Sequence, residues 1–243
     1  KLNVEAQVTS DAARALQGRF TLANSEPGTL DNARMPLSAV TGTIEGTPDD
    51  LALRGIAVDL AHAGRLDGDG AWRDGVLHVA LDTRDLNLQG LQKSLRPSRL
   101  AGRISAEVDA AMQRVRLNLA QQEYRFRFAG AVSNGVASIE DAYARAGGAE
   151  LTTRGRVALD EQKAFSIAGR LQNFDPSRFG AYPQHRINGR FDMKGNVYPV
   201  LHVAANVNMT GSRLYGLPAT AHGTFKSRRT DHPDVAMDVA LRV

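Results

Sequence analysis

The chain has 243 residues, a formal charge of +4 and a pI near 9.6. At 42% hydrophobic and 6% aromatic residues it is lean for a thick core but adequate for a thin, half-exposed sheet. The absence of cysteine excludes disulfides and thiolate metal sites and fits an oxidising compartment. No window approaches the roughly 18 apolar residues of a membrane span. The start, Lys1-Leu-Asn-Val-Glu5, has no signal-peptide pattern, so the chain reads as a soluble piece cut from something longer.

Apolar and polar residues alternate one by one from end to end, the period of a strand with one apolar and one wet face. Gly18-Arg-Phe20-Thr-Leu22 opens the series. Leu51-Ala-Leu53 and Ile56-Ala-Val58-Asp-Leu60 follow, with Gly55 between them predicting a bulge that keeps both sets on one face. Asp74-Gly75 predicts a two-residue hairpin ahead of Leu77, Val79 and Leu81. Val115, Leu117 and Leu119 continue the pattern, as do Tyr124, Phe126 and Phe128. Asn134-Gly135 predicts another hairpin, and Gly147-Gly148 a turn before Leu151. Leu201 and Val203 carry the same alternation, and it closes with Val235 to Val243.

Two connectors, from Leu86 to Ala106 and from Leu171 to Met193, resemble each other. Each predicts a short helical turn, near 91–96 and 175–180. Asp175-Pro176 is a sound helix start, with Asp as cap and Pro preset for the first helical position. Both connectors end on an apolar-x-Gly-Arg-apolar signature, at Gly102 and Gly189. Gly18, Gly155 and Gly169 repeat it, and Gly223 does so with Thr in place of Arg. The signature reads as strand re-entry in a degenerate repeat, and repeats of this kind imply an elongated body. No linker run divides the chain, which reads as one repeat-like β domain over 1–243.

The apolar face therefore comprises Leu77, Val79, Leu81, Val115, Leu117, Leu119, Tyr124, Phe126, Phe128, Leu201 and Val203, with Arg116, Arg125, Arg127 and His202 facing water. The pattern argues against nucleic acid, because the basic residues are spread and interleaved with acids. The densest group, Lys226-Ser-Arg228-Arg229, precedes Asp231 and Asp234 and reads as a solvated loop. The six histidines, at 62, 78, 185, 202, 222 and 232, form no metal-ligand spacing. Asp67-Gly-Asp69-Gly-Ala-Trp72-Arg-Asp74 resembles a calcium loop but lacks its third ligand and closing Glu, so turns bearing aspartates account for it. Trp72 reads as a core or rim residue. No phosphate loop, dinucleotide fingerprint or nucleophile elbow is present. No catalytic residue, metal or cofactor is expected, and the chain reads as a non-enzyme.

Phe20 to Leu37, the following Gly42-Thr-Ile44-Glu-Gly46, the Asp67-to-Trp72 turn and the Leu171-to-Phe179 connector together resemble the TamB family of AsmA-like Gram-negative envelope proteins. The resemblance covers the whole chain as an internal segment of a longer protein. It implies a curled, antiparallel-rich sheet forming a U-shaped trough, a β-taco with an apolar interior. It also implies a parent chain anchored in the inner membrane that crosses the periplasm to an outer-membrane barrel of the Omp85 class, TamA. The implied roles are phospholipid transport and outer-membrane protein assembly, with phospholipid acyl chains or unfolded outer-membrane protein strands as cargo.

About 16 strands at ~4.8 Å make a sheet on the order of 75 Å long, and strands of roughly 7 to 9 residues give a wall of about 25 Å. Such a body would have a radius of gyration well beyond the roughly 18 Å of a compact chain of this size. The alternative is a closed β-sandwich, or a β-helix, that binds or acts on envelope polysaccharide.

Overall fold

The computed structural model describes residues 1–11, 15–198, 201–229 and 233–242, with 222 onward described as backbone alone. The fold is almost wholly antiparallel β. It divides into two units, 1–122 and 123–243, each with its own internal contacts. Among the described residues no helix is long and apolar enough to cross a membrane.

The first unit is an eight-stranded meander: β1 (Leu2–Ser10), β2 (Leu16–Asn24), β3 (Ala39–Thr47), β4 (Asp50–Asp59), β5 (Arg65–Arg73), β6 (Val76–Leu86), β7 (Leu100–Val108) and β8 (Met112–Gln121). Each strand pairs antiparallel with the next. The second unit repeats the plan with β9 (Tyr124–Ser133), β10 (Val136–Ala146), β11 (Ala149–Ala158), β12 (Ala164–Phe174), β13 (His185–Asn196), β14 (His202–Leu214), β15 (Leu217–Arg229) and β16 (Pro233–Arg242). Within either unit the neighbouring strands are antiparallel and form a single sheet. Neither unit is a sandwich or a parallel β-helix.

The turn chemistry follows the sequence. Asp74 and Gly75 both hold positive φ, 49° and 79°, as do Asn134 and Gly135 at 49° and 70°. These are the backbone twists that a two-residue hairpin requires. Gly55, at φ 57°, lies in the register shift between Leu53 and Ile56, and those two residues remain on one face opposite Gly70 and Gly68. Similar shifts interrupt β6, β10, β12, β13 and β14, and each bends its strand.

Several expectations are corrected. The strands run from 9 to 13 residues, because the bulges extend pairing past each irregularity. The first helical turn, α1, lies at Leu88–Leu91, earlier than 91–96, because Asn87 caps it by accepting from the Gln89 N–H. The second, a 3-10 turn at Pro176–Arg178, starts at the Asp175 cap as read. Two further 3-10 turns, Leu30–Asn32 and Ala61–Ala63, were not expected. Asp67 to Trp72 is not a turn but part of β5, where Gly68 and Gly70 serve the sheet. Lys226 to Arg229 is likewise strand, the end of β15, paired with β14 and β16. Asp231, His232 and Val243 lie outside the described residues.

Long connectors and tight turns segregate. In the first unit the connectors 25–38, 60–64 and 87–99 all lie at one end of the strands and the hairpins at the other. The connectors join one another: the Asn87 N–H donates to Ala63 O at 2.8 Å and the Lys93 N–H to Asp31 Oδ1 at 3.2 Å. Gly90 is buried against the His62–Ala63 backbone, which leaves no room for a Cβ. Beneath them sit well-buried apolar residues, Ala63, Leu66, Leu86 and Leu100. The sealed core is confined to this end.

Candidate functional site: the apolar face

In-register partners on adjacent strands point to the same face, so the register tests whether the alternating residues form one surface. In the first unit they do. Leu77, Val79 and Leu81 stand opposite Val108, Ala106 and Ile104. Ile104 and Ala106 stand opposite Leu117 and Val115. In the other direction Leu77 faces Trp72, Trp72 faces Leu51, and Leu53 faces Ile44. Trp72 is thus a rim residue beside the Asp74-Gly75 hairpin. Phe20, Leu22, Val4 and Val8 carry the surface to β1.

The second unit behaves alike. Tyr124, Phe126 and Phe128 stand opposite Ala146, Ala144 and Ala142. Leu151 continues the row from Ala144, and Met193, Phe191 and Val207 extend it. Val203 stands opposite Gly195, while Leu201 precedes the first residue of β14 and is half-buried there. The polar neighbours Arg116, Arg125, Arg127 and His202 are exposed.

Burial distinguishes a covered face from an open one. Leu77, Val79, Leu81, Leu117, Tyr124, Phe126, Phe128 and Val203 are only half-buried. Val115 is 40% exposed and Val4 72%, whereas Leu119, near the connector end, is 3% exposed. Within each unit the face is apolar, and in the first unit it is closed at the connector end and partly open elsewhere.

Two features were not legible in the chain's linear order. The first is that the repeated Gly-Arg signature marks strand re-entry at Gly18 and Gly102, each the third residue of its strand, but not at Gly155 and Gly169, which lie mid-strand. Its meaning is facial, with Gly on the apolar side and Arg on the polar side. One signature glycine and two glycines outside the signature lie under rings. The Phe191 ring lies over Gly169, Phe20 over Gly42 and Phe128 over Gly130. Small residues opposite large ones let the rings recline on the sheet instead of standing up from it. The second is an aromatic cover in the second unit. Phe179, from the connector, stacks on Phe174 at 5.4 Å and meets Phe126 edge-on at 6.2 Å. The Tyr124 hydroxyl donates to Arg178 O at 3.2 Å. Tyr124 and Phe126 therefore support a covering loop.

That loop is pinned by Asp175. Its Oδ1 accepts from the Ser177 N–H at 3.1 Å, the Ser177 hydroxyl at 2.7 Å and the His185 N–H at 3.3 Å. Burial raises the Asp175 pKa, but these hydrogen bonds and nearby Arg178 outweigh it and hold the carboxyl below the usual range.

The polar face carries cross-strand ion pairs. Arg103 forks onto Asp82 with two bonds of 2.9 Å, and Arg73 reaches Asp50 at 2.9 Å. The hydrogen bond from Arg103 lowers the Asp82 pKa. Among the described residues no group of three or more His, Cys, Asp or Glu side chains is arranged to hold a metal. No family model matches this chain, and neither a curated protein nor a solved structure matches it.

Proposed function

We propose that this chain is a non-enzymatic periplasmic segment of a TamB-like envelope bridge. Its apolar sheet face holds phospholipid acyl chains on their way between the inner and outer membranes. The observation that carries the reading is the in-register apolar face left half-exposed in each unit. A surface of that extent in water has a strong drive to be covered. An acyl chain of about 16 carbons gains on the order of 12 kcal/mol on leaving water, at ~0.8 kcal/mol per CH₂. The smooth bed of rings over glycines offers many near-equivalent positions along which such a chain can slide. The envelope setting, the inner-membrane anchor of the parent and its Omp85-class partner TamA rest on the motif resemblance, with which the lack of cysteine agrees.

One feature favours a second cargo. All nine residues of β1 are exposed, and its outer edge has no partner strand among the described residues. Such an edge can template an incoming strand of an unfolded outer-membrane protein. Lipid extraction of the purified chain followed by mass spectrometry tests the main reading. Near-stoichiometric phospholipid is the expected result. Protein free of lipid that retains an oligosaccharide would overturn it.

A further inference from the structure

The polar face places like charges in register at several points, Asp67 opposite Asp82, Arg125 opposite Arg145 and Arg186 opposite Arg213, and oppositely charged partners relieve some of them. Arg73, Arg103 and Arg145 each stand in register opposite a carboxylate, Asp50, Asp82 and Glu150, and pair with it. Arg170 instead stands in register opposite Arg190. Like charges directly opposite on a sheet repel. Neither arginine side chain makes a hydrogen bond or ion pair among the described residues, and that of Arg154, nearby on β11, makes none either.

Arg154, Arg170 and Arg190 line one groove of about 790 Å³ on the polar face of β10 to β14. Its floor is low because Ala168 stands opposite both Arg154 and Asp192. Thr152, Asn206 and Asn208 add neutral hydrogen-bonding groups. Glu140, Asp141 and Asp192 also line it, but Asp141 lies 4.0 Å from Arg127, outside the groove. The wider charge balance agrees. Residues 1–122 hold 14 Lys and Arg against 15 Asp and Glu, whereas residues 123–243 hold 16 against 11, so the positive charge of the chain resides in the second unit.

We infer that this groove is a phosphate-binding site, with Arg170 and Arg190 gripping the anion from adjacent strands and Arg154 completing the contact. Planar guanidinium forks match phosphate oxygens in geometry and charge, and a bound anion turns the Arg170–Arg190 repulsion into shared attraction. The site lies on the face opposite the apolar surface and does not depend on the lipid reading.

The test is titration of the intact chain with inorganic phosphate, followed by calorimetry. A parallel arm measures co-flotation with phosphatidylcholine vesicles, with and without phosphatidylglycerol. The variants are Arg170→Gln, Arg190→Gln and Arg154→Gln, with Arg156→Gln on the same polar face but outside the groove as control. Saturable phosphate binding weakened at least about tenfold by the first two variants, with Arg156→Gln unchanged, supports the site with free phosphate as a ligand. Flotation dependent on phosphatidylglycerol and lost in the same variants supports it with a lipid headgroup as the source. Binding in neither arm, binding indifferent to Arg170 and Arg190, or equal loss in Arg156→Gln overturns it. Because the substitutions remove repulsion from an exposed face, melting should not fall. If either variant unfolds, Arg154→Gln alone decides.

Discussion

The Phe191 ring lies across Gly169, its in-register partner on the neighbouring strand. A Cβ at Gly169 would meet the ring Cε1 at 2.7 Å and the Thr152 carbonyl oxygen at 2.7 Å. The ring can tilt away, but the carbonyl belongs to the backbone of β11 and moves only with the strand. Gly169→Ala should therefore destabilise the fold by about 1–3 kcal/mol, as overpacking does. Gly148→Ala is the control, since its Cβ meets nothing within 4 Å, and it should be neutral or slightly stabilising. Urea denaturation of both variants measures the difference.

Burial separates the sealed end of the first unit from its open face. Leu100 is fully buried beneath the connectors, so Leu100→Ala should cost about 2–5 kcal/mol. Val115, 40% exposed on the same sheet, should lose less than about 1 kcal/mol on the same change. Equal losses in thermal melting would mean that the face is as covered as the connector end.

The floor positions divide in the same way. Leu117 is half-buried on the open face, so Leu117→Arg has a route for its charge to water and should leave the chain folded. It should also abolish binding of a fluorescent fatty acid. Phe126→Arg loses the edge contact with Phe179 and should cost about 2–4 kcal/mol, so both stability and binding fall. Arg125→Leu on the polar face should alter neither. Leu117→Arg that melts normally and binds fatty acid normally would reject the lipid reading.

Asp175 gives the covering loop of the second unit an acid sensitivity. Its folded pKa lies below the unfolded value, so its contribution is present above that value, near 4, and is lost as pH falls through the folded pKa. Stability of the wild type should decline below about pH 4 more steeply than that of Asp175→Asn. At neutral pH, Asp175→Ala should cost about 1–2 kcal/mol as a lost cap. Melting from pH 3 to 7, compared between the two proteins, measures the effect.

The sequence alone determined the strand face of the residues that alternate most strictly. A period of two fixes which side chains share a side, and the Asp-Gly and Asn-Gly pairs fix where the chain reverses, because few other residues accept two consecutive positive φ values. Leu77, Val79 and Leu117 were therefore legible as one surface before any pairing was known. Register and covering were not, because both depend on residues distant in the chain. The tertiary structure alone set Arg170 opposite Arg190, laid Phe191 over Gly169 and brought Phe179 down on Phe126. The Gly-Arg signature shows the limit most clearly. In one dimension it resembles punctuation, but in the sheet its Gly169 is the space that the Phe191 ring of the neighbouring strand occupies.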